Sequence, residues 1–246
     1  MSTLLTIGHR GALRDAPENT LPAIERAKEA GVEMIALDLQ GTKDHELVVF
    51  ADTKLDRTTN GTGRIAQQTL KELRLLDAGS WFGSKFAGTR IPTLAEALKA
   101  VGAKHRLMLG VSEMRAGTPL AAALLEGLKG RSKPNEDVLV FPDSDSLKAF
   151  REKAPDFGYA LALGERVEGW VHLEKASRLG LKTVRPHRHQ IQSALVRDAH
   201  AKNLQVFAYF ADEESEMREL MSAHVDGIVT GRPELLKKVQ KETQAA

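Results

Sequence analysis

The sequence predicts an α/β fold, a (β/α)8 or TIM barrel, in which eight parallel strands alternate with helices. Short apolar, β-branched runs alternate with amphipathic stretches from end to end, which is the pattern of a parallel sheet with crossover helices. The chain has 246 residues, and barrels of this kind occupy about 250 residues as one unit. We therefore expect residues 1–246 to form a single barrel domain.

Nine runs have the composition of strands, one more than such a barrel needs, so we expect one of them to be a loop or an accessory strand. The candidates are 4–8, 34–39, 47–51, 106–112, 138–141, 159–163, 182–185, 205–210 and 227–230. Helices are predicted at 19–30, 93–101, 119–128, 144–153, 192–202, 213–222 and from 233 to the end. Thr93 and Glu96 have the spacing of a capping box, which marks a helix start.

Residues 52–90, rich in Thr, Gly and Lys, are the longest irregular stretch and form an insertion after the third strand. An insertion of this kind normally lies on the functional face of a barrel. Trp81 and Phe82 are interpreted in two ways. They form one wall of the binding site, or they anchor the insertion to the barrel.

Composition argues against several classes of partner. The 35 basic and 33 acidic residues give a formal charge of +2 without a basic cluster, so neither nucleic acid nor an anionic membrane is expected to bind. The lack of cysteine excludes disulfides, zinc-thiolate sites and a cysteine nucleophile. No run approaches the roughly 20 apolar residues of a membrane span. We expect a cytoplasmic protein, either a monomer or a homodimer, that binds a small molecule.

Polar residues follow the first strand, at the barrel end where active sites of this fold lie. His9 and Arg10 come directly after this strand, and Glu18 and Asn19 follow before the first helix. Each has an ordinary alternative, since Asn19 could cap the helix and His9 could be a satisfied buried histidine. The convergence of an imidazole, a guanidinium and a carboxylate within ten residues favours a site.

Asp38 lies within the apolar second strand, where a period of two places Ala36 on its face and Leu37 and Leu39 on the other. A carboxylate there costs several kcal/mol unless a metal, a cation or hydrogen-bond donors satisfy it. Asp38 is therefore a candidate site residue. Asp52 ends the third strand and is equally well interpreted as a turn or cap residue.

His187 and His189 have the appearance of a metal pair. The sequence offers no third ligand at a telling distance, so a surface loop is the favoured interpretation.

Six segments follow one another in a characteristic series: HRGALRDAPENT, DLQGTKDHELVVFAD, LDRTTNGTG, AGSWF, IPTLAEAL and VDGIVTGRP. Together they resemble the glycerophosphodiester phosphodiesterases, and the series extends from the first strand to Pro233. HRG followed by PENT and LDRTTNGTG at this spacing is highly specific. The resemblance implies a barrel that hydrolyses deacylated phospholipids to glycerol phosphate and an alcohol.

The resemblance also implies roles for individual residues. His9 matches the family's general acid or base, Arg10 its phosphate ligand, and Glu18 and Asn19 the site residues of PENT. A divalent cation, usually calcium or magnesium, is held in the family by a Glu-x-Asp pair, a later Glu and the PENT glutamate, since hard cations need several oxygen ligands. Glu18 and Asp38 are the ligands that remain here.

Four positions depart from this pattern. Ala36 replaces the glutamate of the Glu-x-Asp pair, and Ala51 stands where the family has its second catalytic histidine. Gly110 and Ser112 replace the Glu-x-Lys of the fourth strand, which removes a metal carboxylate and a phosphate-binding lysine.

Lesser departures occur at Gly41, where a larger apolar residue is usual, and at Tyr209, where a Trp-Thr pair commonly begins. We expect a pocket that is wider and less charged than usual, with Tyr209 contacting the ligand.

Three functions are compatible with these losses. The chain could remain a metal-dependent phosphodiesterase of impaired activity, because a lost general acid or base costs about a hundredfold to ten-thousandfold in rate. It could be a catalytically silent binder of a small ligand held by His9, Arg10 and Asn19. It could also be a barrel remodelled, by engineering or otherwise, for another reaction with Asp38 as general base, since desolvation raises a carboxyl pKa.

Overall fold

The computed structural model describes residues 4–111 and 117–245. Within them, nine strands form one sheet, and the nine are listed in chain order. They are β1 (Leu5–His9), β2 (Met34–Gly41), β3 (Leu47–Val49), β4 (Arg106–Val111), β5 (Val138–Phe141), β6 (Gly158–Leu161), β7 (Thr183–Val184), β8 (Gln205–Tyr209) and β9 (Gly227–Thr230). Eight of them run parallel in the order β6-β5-β4-β2-β1-β9-β8-β7. Because β6 also contacts β7, the sheet is a nearly closed barrel.

The expected accessory strand is β3. It pairs antiparallel with β2, with Leu39 opposite Val49 and Gly41 opposite Leu47. The chain therefore turns back after β2 before it enters the 52–90 insertion. The predicted barrel is confirmed, and the surplus ninth strand has a place beside it.

The helices surround the barrel, and all but two were predicted. They are α1 (Leu21–Glu29), α2 (Leu70–Leu73), α3 (Leu94–Val101), α4 (Pro119–Gly127), α5 (Ser144–Lys153), α6 (Gly169–Arg178), α7 (Ser193–Ala201), α8 (Glu214–Ser222) and α9 (Pro233–Ala245). In the part of the chain that the structure describes, no helix is long and apolar enough to cross a bilayer.

The prediction failed at α6 and at the short α2. Helix α3 has the predicted capping box, with Thr93 and Glu96 bonded to each other's backbone N–H groups. Helix α6 begins after Glu168, whose side chain makes no cap bond, and its buried face includes Gly169 and His172. Without a cap signal, and with a glycine and an imidazole on the inner face, the sequence carries a weak helix pattern there.

Successive side chains of each strand point alternately to the surrounding helices and to the barrel interior, which gives two apolar layers. Leu37 and Leu39 face the helices, as the period of two predicts, whereas Ala36 faces the barrel interior. The interior layer consists of Leu5, Ile7, Met34, Ala36, Met108, Val138, Val140, Ala160, Phe207 and Val229. Side chains of this layer fill the lower barrel, so the space for a ligand lies at the carboxyl ends of the strands.

Three acids at the opposite end attach neighbouring strands to each other. Each precedes one strand and accepts the N–H of the second residue of an adjacent strand. A lysine, arginine or histidine side chain also contacts the carboxylate of each acid. The sets are Glu33 with Thr6 and Lys237, Asp137 with Leu107 and Arg131, and Asp226 with Val206 and His200. The N–H bonds measure 2.8, 2.7 and 2.8 Å, respectively. These acids therefore hold the barrel at the end away from the site.

We predict that Asp137→Asn destabilises the fold strongly, because Arg131 then keeps its charge without a carboxylate. Their side chains are only 2% and 10% exposed, and removal of one partner of such a buried pair costs about 3–5 kcal/mol. Urea denaturation measures the change. Glu136→Gln is the matched control, since Glu136 bonds Arg106 near the surface and such pairs contribute less than about 1 kcal/mol. Equal losses in both variants would contradict the prediction.

Candidate active site

His9 ends β1 and lies almost completely buried at the mouth of the barrel. Its Nε2 atom is 3.3 Å from the Tyr209 hydroxyl, and its ring contacts Phe210 at a centroid distance of 5.4 Å. Burial lowers the pKa of His9 well below its ordinary value, and the nearby charges of Arg10 and Arg185 add to this. The imidazole is therefore neutral at neutral pH, so it can accept a proton but holds it less strongly than an ordinary histidine does.

The loop from β1 to α1 has an unusual backbone that directs Arg10. Arg10, Gly11 and Asn19 have φ angles of 51°, 87° and 57°, in the left-handed region. Only glycine fits at position 11, because a Cβ there would lie 2.5 Å from the Ala23 carbonyl oxygen. The Asn19 N–H donates to the Arg10 carbonyl at 3.0 Å and closes the loop. The HRG and PENT segments are thus joined by their backbones.

Asn19 holds Asp38 rather than capping the helix. Its side-chain oxygen accepts the Asp38 N–H at 3.1 Å, and its amide nitrogen donates to Asp38 Oδ2 at 3.2 Å. Thr20 caps α1 instead, by accepting the N–H of Ala23. Asn19 is only 2% exposed and both ends of its amide are engaged, so its position makes it a residue that orients Asp38.

Arg10 pairs with two carboxylates. Its terminal nitrogen donates to Glu18 at 2.6 Å, and its Nε lies 2.9 Å from Asp38 Oδ2. Burial alone would lower the pKa of Arg10, but Asp38 and Glu18 outweigh burial and raise it. The Asp38 carboxylate therefore contacts a cation and a hydrogen-bond donor, two of the three kinds of partner that its position in an apolar strand calls for.

Arg57, from the insertion, joins Glu18 to Asp52. It donates to both oxygens of Glu18, at 2.6 and 2.9 Å, and its Nε donates to Asp52 at 2.7 Å. Burial raises the pKa of Glu18, but Arg57 and Arg10 outweigh burial and hold it below its ordinary value. The hydrogen bond from Arg57 likewise lowers the pKa of Asp52. Sequence reasoning missed Arg57, although it lies within the LDRTTNGTG segment.

A cavity of about 210 Å³ opens beside this network, lined in part by Asp38, Gly110, Arg185 and Tyr209. Gly110 is the register partner of Asp38, and a Cβ at Gly110 would lie 2.8 Å from Asp38 Oδ1. The Arg185 guanidinium lies 4.8 Å from the centre of the Tyr209 ring. Sequence analysis treated Arg185 only as the end of a strand.

The remaining predicted residues are placed as follows. Ala36 faces the barrel interior, and its neighbours on the adjacent strands are His9 of β1 and Met108 of β4. The Ala51 carbonyl accepts a hydrogen bond from the Gln40 side chain at 2.9 Å. Ser112 lies outside the described residues. The space expected at Gly41 is taken by the Leu120 side chain, since a Cβ would lie 2.3 Å from a Leu120 methyl.

Trp81 lies in the insertion and is 42% exposed. Its indole donates to the Ala78 carbonyl at 3.0 Å and its ring contacts Phe82 edge-on. Within residues 4–111 and 117–245, no hydrogen bond or ring contact connects Trp81 to the mouth, so its contacts favour the anchoring interpretation. A ligand contact by Trp81 stays a prediction.

The residues at the mouth do not fit a hard divalent cation. Such ions take six or more oxygen ligands, yet Glu18 and Asp38 accept bonds from Arg10, Arg57 and Asn19, and Ala36 and Gly110 supply no oxygen from a side chain. His187 and His189 have their rings 4.8 Å apart, with Glu165 at 3.5 Å from His187. Among the described residues, no group of three or more His, Asp or Glu side chains is arranged to hold a metal.

We predict that Arg57→Gln removes an acid-sensitive part of the stability. Glu18 and Asp52 have lowered folded pKa values, so their contribution is present above their unfolded pKa and is lost as pH falls through the folded pKa. The variant should be less stable than the parent at pH 7, and the two should converge below about pH 3. Urea midpoints across this range test it. The control is Arg64→Gln, at an exposed arginine of the same insertion, which should keep the parent's dependence of the urea midpoint on pH. If Arg57→Gln lowers the midpoint by the same amount at every pH, the stabilisation does not come from Glu18 and Asp52 and the prediction is wrong.

Comparisons with known proteins agree with this architecture. A glycerophosphodiester phosphodiesterase from Caldanaerobacter subterraneus subsp. tengcongensis is 38% identical over 237 residues, covering 94% of this chain and 96% of the relative. A putative glycerophosphodiester phosphodiesterase from Bacillus subtilis is 33% identical, with the same coverage of 94% and 96%.

Solved structures share the barrel. An Oleispira antarctica phosphodiesterase in complex with the product sn-glycerol-3-phosphate matches with a TM-score of 0.87 at 26% identity, covering 98% of this chain and 97% of that chain. The profile of the glycerophosphoryl diester phosphodiesterase family matches residues 9–235. Because this match extends over nearly the whole chain, the chain belongs to the glycerophosphoryl diester phosphodiesterase family.

Proposed function

We propose that this barrel binds a glycerophosphodiester, or the glycerol phosphate released from one, at its mouth and hydrolyses the diester far more slowly than a complete site would. The observation that carries the proposal is the pairing of Glu18, Asp38 and Asp52 with Arg10 and Arg57. The carboxylates that would hold a cation are bound to guanidinium groups. The Oleispira relative, which holds sn-glycerol-3-phosphate, supports the ligand class.

Hydrolysis of a phosphodiester needs one group to accept a proton from the nucleophile and another to donate a proton to the leaving alcohol. Neutral His9 can accept one. Its partner Tyr209 is a weak donor, since burial raises the pKa of its hydroxyl. The family's second histidine corresponds to Ala51 here. The loss of one of two acid–base groups supports a rate reduced by about a hundredfold or more.

Binding has stronger support than turnover. Arg10 lies partly exposed at the mouth, and its planar guanidinium matches the geometry of a phosphate. A phosphate that reaches Arg10 competes with Glu18 and Asp38 for its donors. A site of this kind binds phosphate without an intervening metal cation. If its hydrolysis rate is zero, the protein is the catalytically silent binder.

A remodelled acid–base reaction at Asp38 has less support. Asp38 Oδ2 lies within 2.9 Å of Arg10 Nε and accepts a bond from Asn19. A general base needs a free lone pair. These two donors engage Oδ2, so that oxygen is not free to accept a proton from a substrate.

We predict that restoring the family pattern restores turnover. The variant Ala36→Glu, Ala51→His, Gly110→Glu, Ser112→Lys should hydrolyse glycerophosphocholine, with magnesium or calcium supplied, at least about a hundredfold faster than the parent. Release of choline measures the rate. The same four changes with His9→Gln should stay near the parent's rate, since the remaining imidazole would then act alone. A parent that already matches the restored variant would refute the impairment.

A further inference from the structure

We propose that Arg185 is a second phosphate-binding cation of this site, placed to hold a phosphoryl group in the cavity beside Asp38 and Gly110. The inference rests on the proposed function and adds the residue that gives the cavity its charge. Three independent observations lead to it: an unpartnered guanidinium nitrogen, an unpaired positive charge and an open volume next to both.

The first observation is the bonding of Arg185. Its Nε is enclosed and, among the described residues, has no hydrogen-bond partner. A buried donor without a partner costs about 1–3 kcal/mol, and more when the group is charged. Native structures retain few such groups, and each of them calls for an explanation such as an ion or a ligand.

The second observation is the charge balance around the mouth. Arg10 and Arg57 each contact two carboxylates. Over residues 4–111 and 117–245, Arg185 makes no ion pair, and its guanidinium lies over the Tyr209 ring at 4.8 Å. The ring face stabilises a cation but leaves the in-plane N–H donors of the guanidinium free.

The third observation is the space that these donors border. Arg185, Asp38, Gly110 and Tyr209 share the cavity of about 210 Å³. Because Gly110 has no side chain, the Asp38 carboxylate can lie against it at the edge of the cavity, with Oδ1 only 2.8 Å from where a Cβ would stand. A phosphate fits a volume of this size, and an arginine presents two parallel N–H donors to two phosphate oxygens. Tyr209 connects this position to His9 through a 3.3 Å hydrogen bond.

The chemistry favours a phosphate over a carboxylate-bearing or neutral ligand. Asp38 lines the same cavity, so an anion must be attracted strongly enough to outweigh its repulsion. A dianionic phosphomonoester in the cavity is attracted to Arg185 more strongly than a monoanionic carboxylate is. A neutral polyol would leave the Arg185 charge unpaired.

The test is calorimetric titration of the full chain with sn-glycerol 3-phosphate and, separately, with inorganic phosphate, both in EDTA. Arg185→Met should weaken the binding of each ligand by about 10- to 100-fold, the effect of losing hydrogen bonds to a charged group. Arg185→Lys keeps the positive charge but lacks the paired N–H donors of the guanidinium, so its affinity for each ligand should lie between those of the parent and of Arg185→Met. The matched control is Arg188→Met, because Arg188 also covers a neighbouring ring, that of Phe210, but pairs with Glu216; it should bind within about twofold of the parent.

Thermal unfolding provides the second readout. Without ligand, Arg185→Met should be at least as stable as the parent, because an unpaired buried cation is removed. With phosphate, the parent should gain stability and the variant should not. A loss of stability in the variant without ligand would assign Arg185 to the fold instead and overturn the inference.

The outcomes separate this inference from the proposed function. If Arg10→Met abolishes binding of glycerol 3-phosphate and Arg185→Met does not change it, the inference fails and the proposed function stands. If the parent binds only inorganic phosphate, and does so through Arg185, the inference stands and the proposed ligand class fails. A parent that binds neither overturns both.

Discussion

The double hydrogen bond between Asn19 and Asp38 is the interaction on which the rest of the site depends. Asn19 contacts both the backbone N–H and the carboxylate of Asp38, so it attaches the β1–α1 loop to the carboxyl end of β2. Asparagine is one of the few residues that adopt a positive φ with little strain, and Asn19 has a φ of 57°. Because the Asn19 N–H also bonds the Arg10 carbonyl, the direction of Arg10 follows from this contact. Removal of Asn19 would release both the acid and the cation.

The arginine pairs at the mouth occupy the positions of charge that a metal site would use. One guanidinium presents five donors in a plane, and Arg57 uses this geometry to contact Glu18 and Asp52 together. A hard cation needs the same oxygens free and several more besides. Ala36 and Gly110 supply no side-chain oxygen next to them, so the acids that are present are better matched to guanidinium groups than to an ion.

Sequence reasoning succeeded where the signal is local. The barrel, the presence of a ninth strand candidate beyond the eight it needs and the shared face of Ala36 and Asp38 follow from composition and from the period of two, whereas the antiparallel direction of β3 does not. Helix α6 was missed because Glu168 makes no side-chain cap bond. The convergence of the site residues could be predicted, since they lie at or after the carboxyl ends of the adjacent strands β1 and β2; they are His9, Arg10, Glu18, Asn19 and Asp38. The double hydrogen bond from Asn19 to Asp38 could not be predicted, because the partners of a side-chain amide depend on backbone angles that the sequence does not specify.

Arg185 escaped prediction for a different reason, which concerns closure of the barrel. In the sheet order, β1, β9 and β8 stand between β2 and β7, so Asp38 and Arg185 are far apart along the sheet. They line one cavity because the sheet curves until its inner faces meet. Closure of the barrel therefore brings Asp38 of β2, Gly110 of β4 and the cation that follows β7 to the same cavity, although they are widely separated in the sequence.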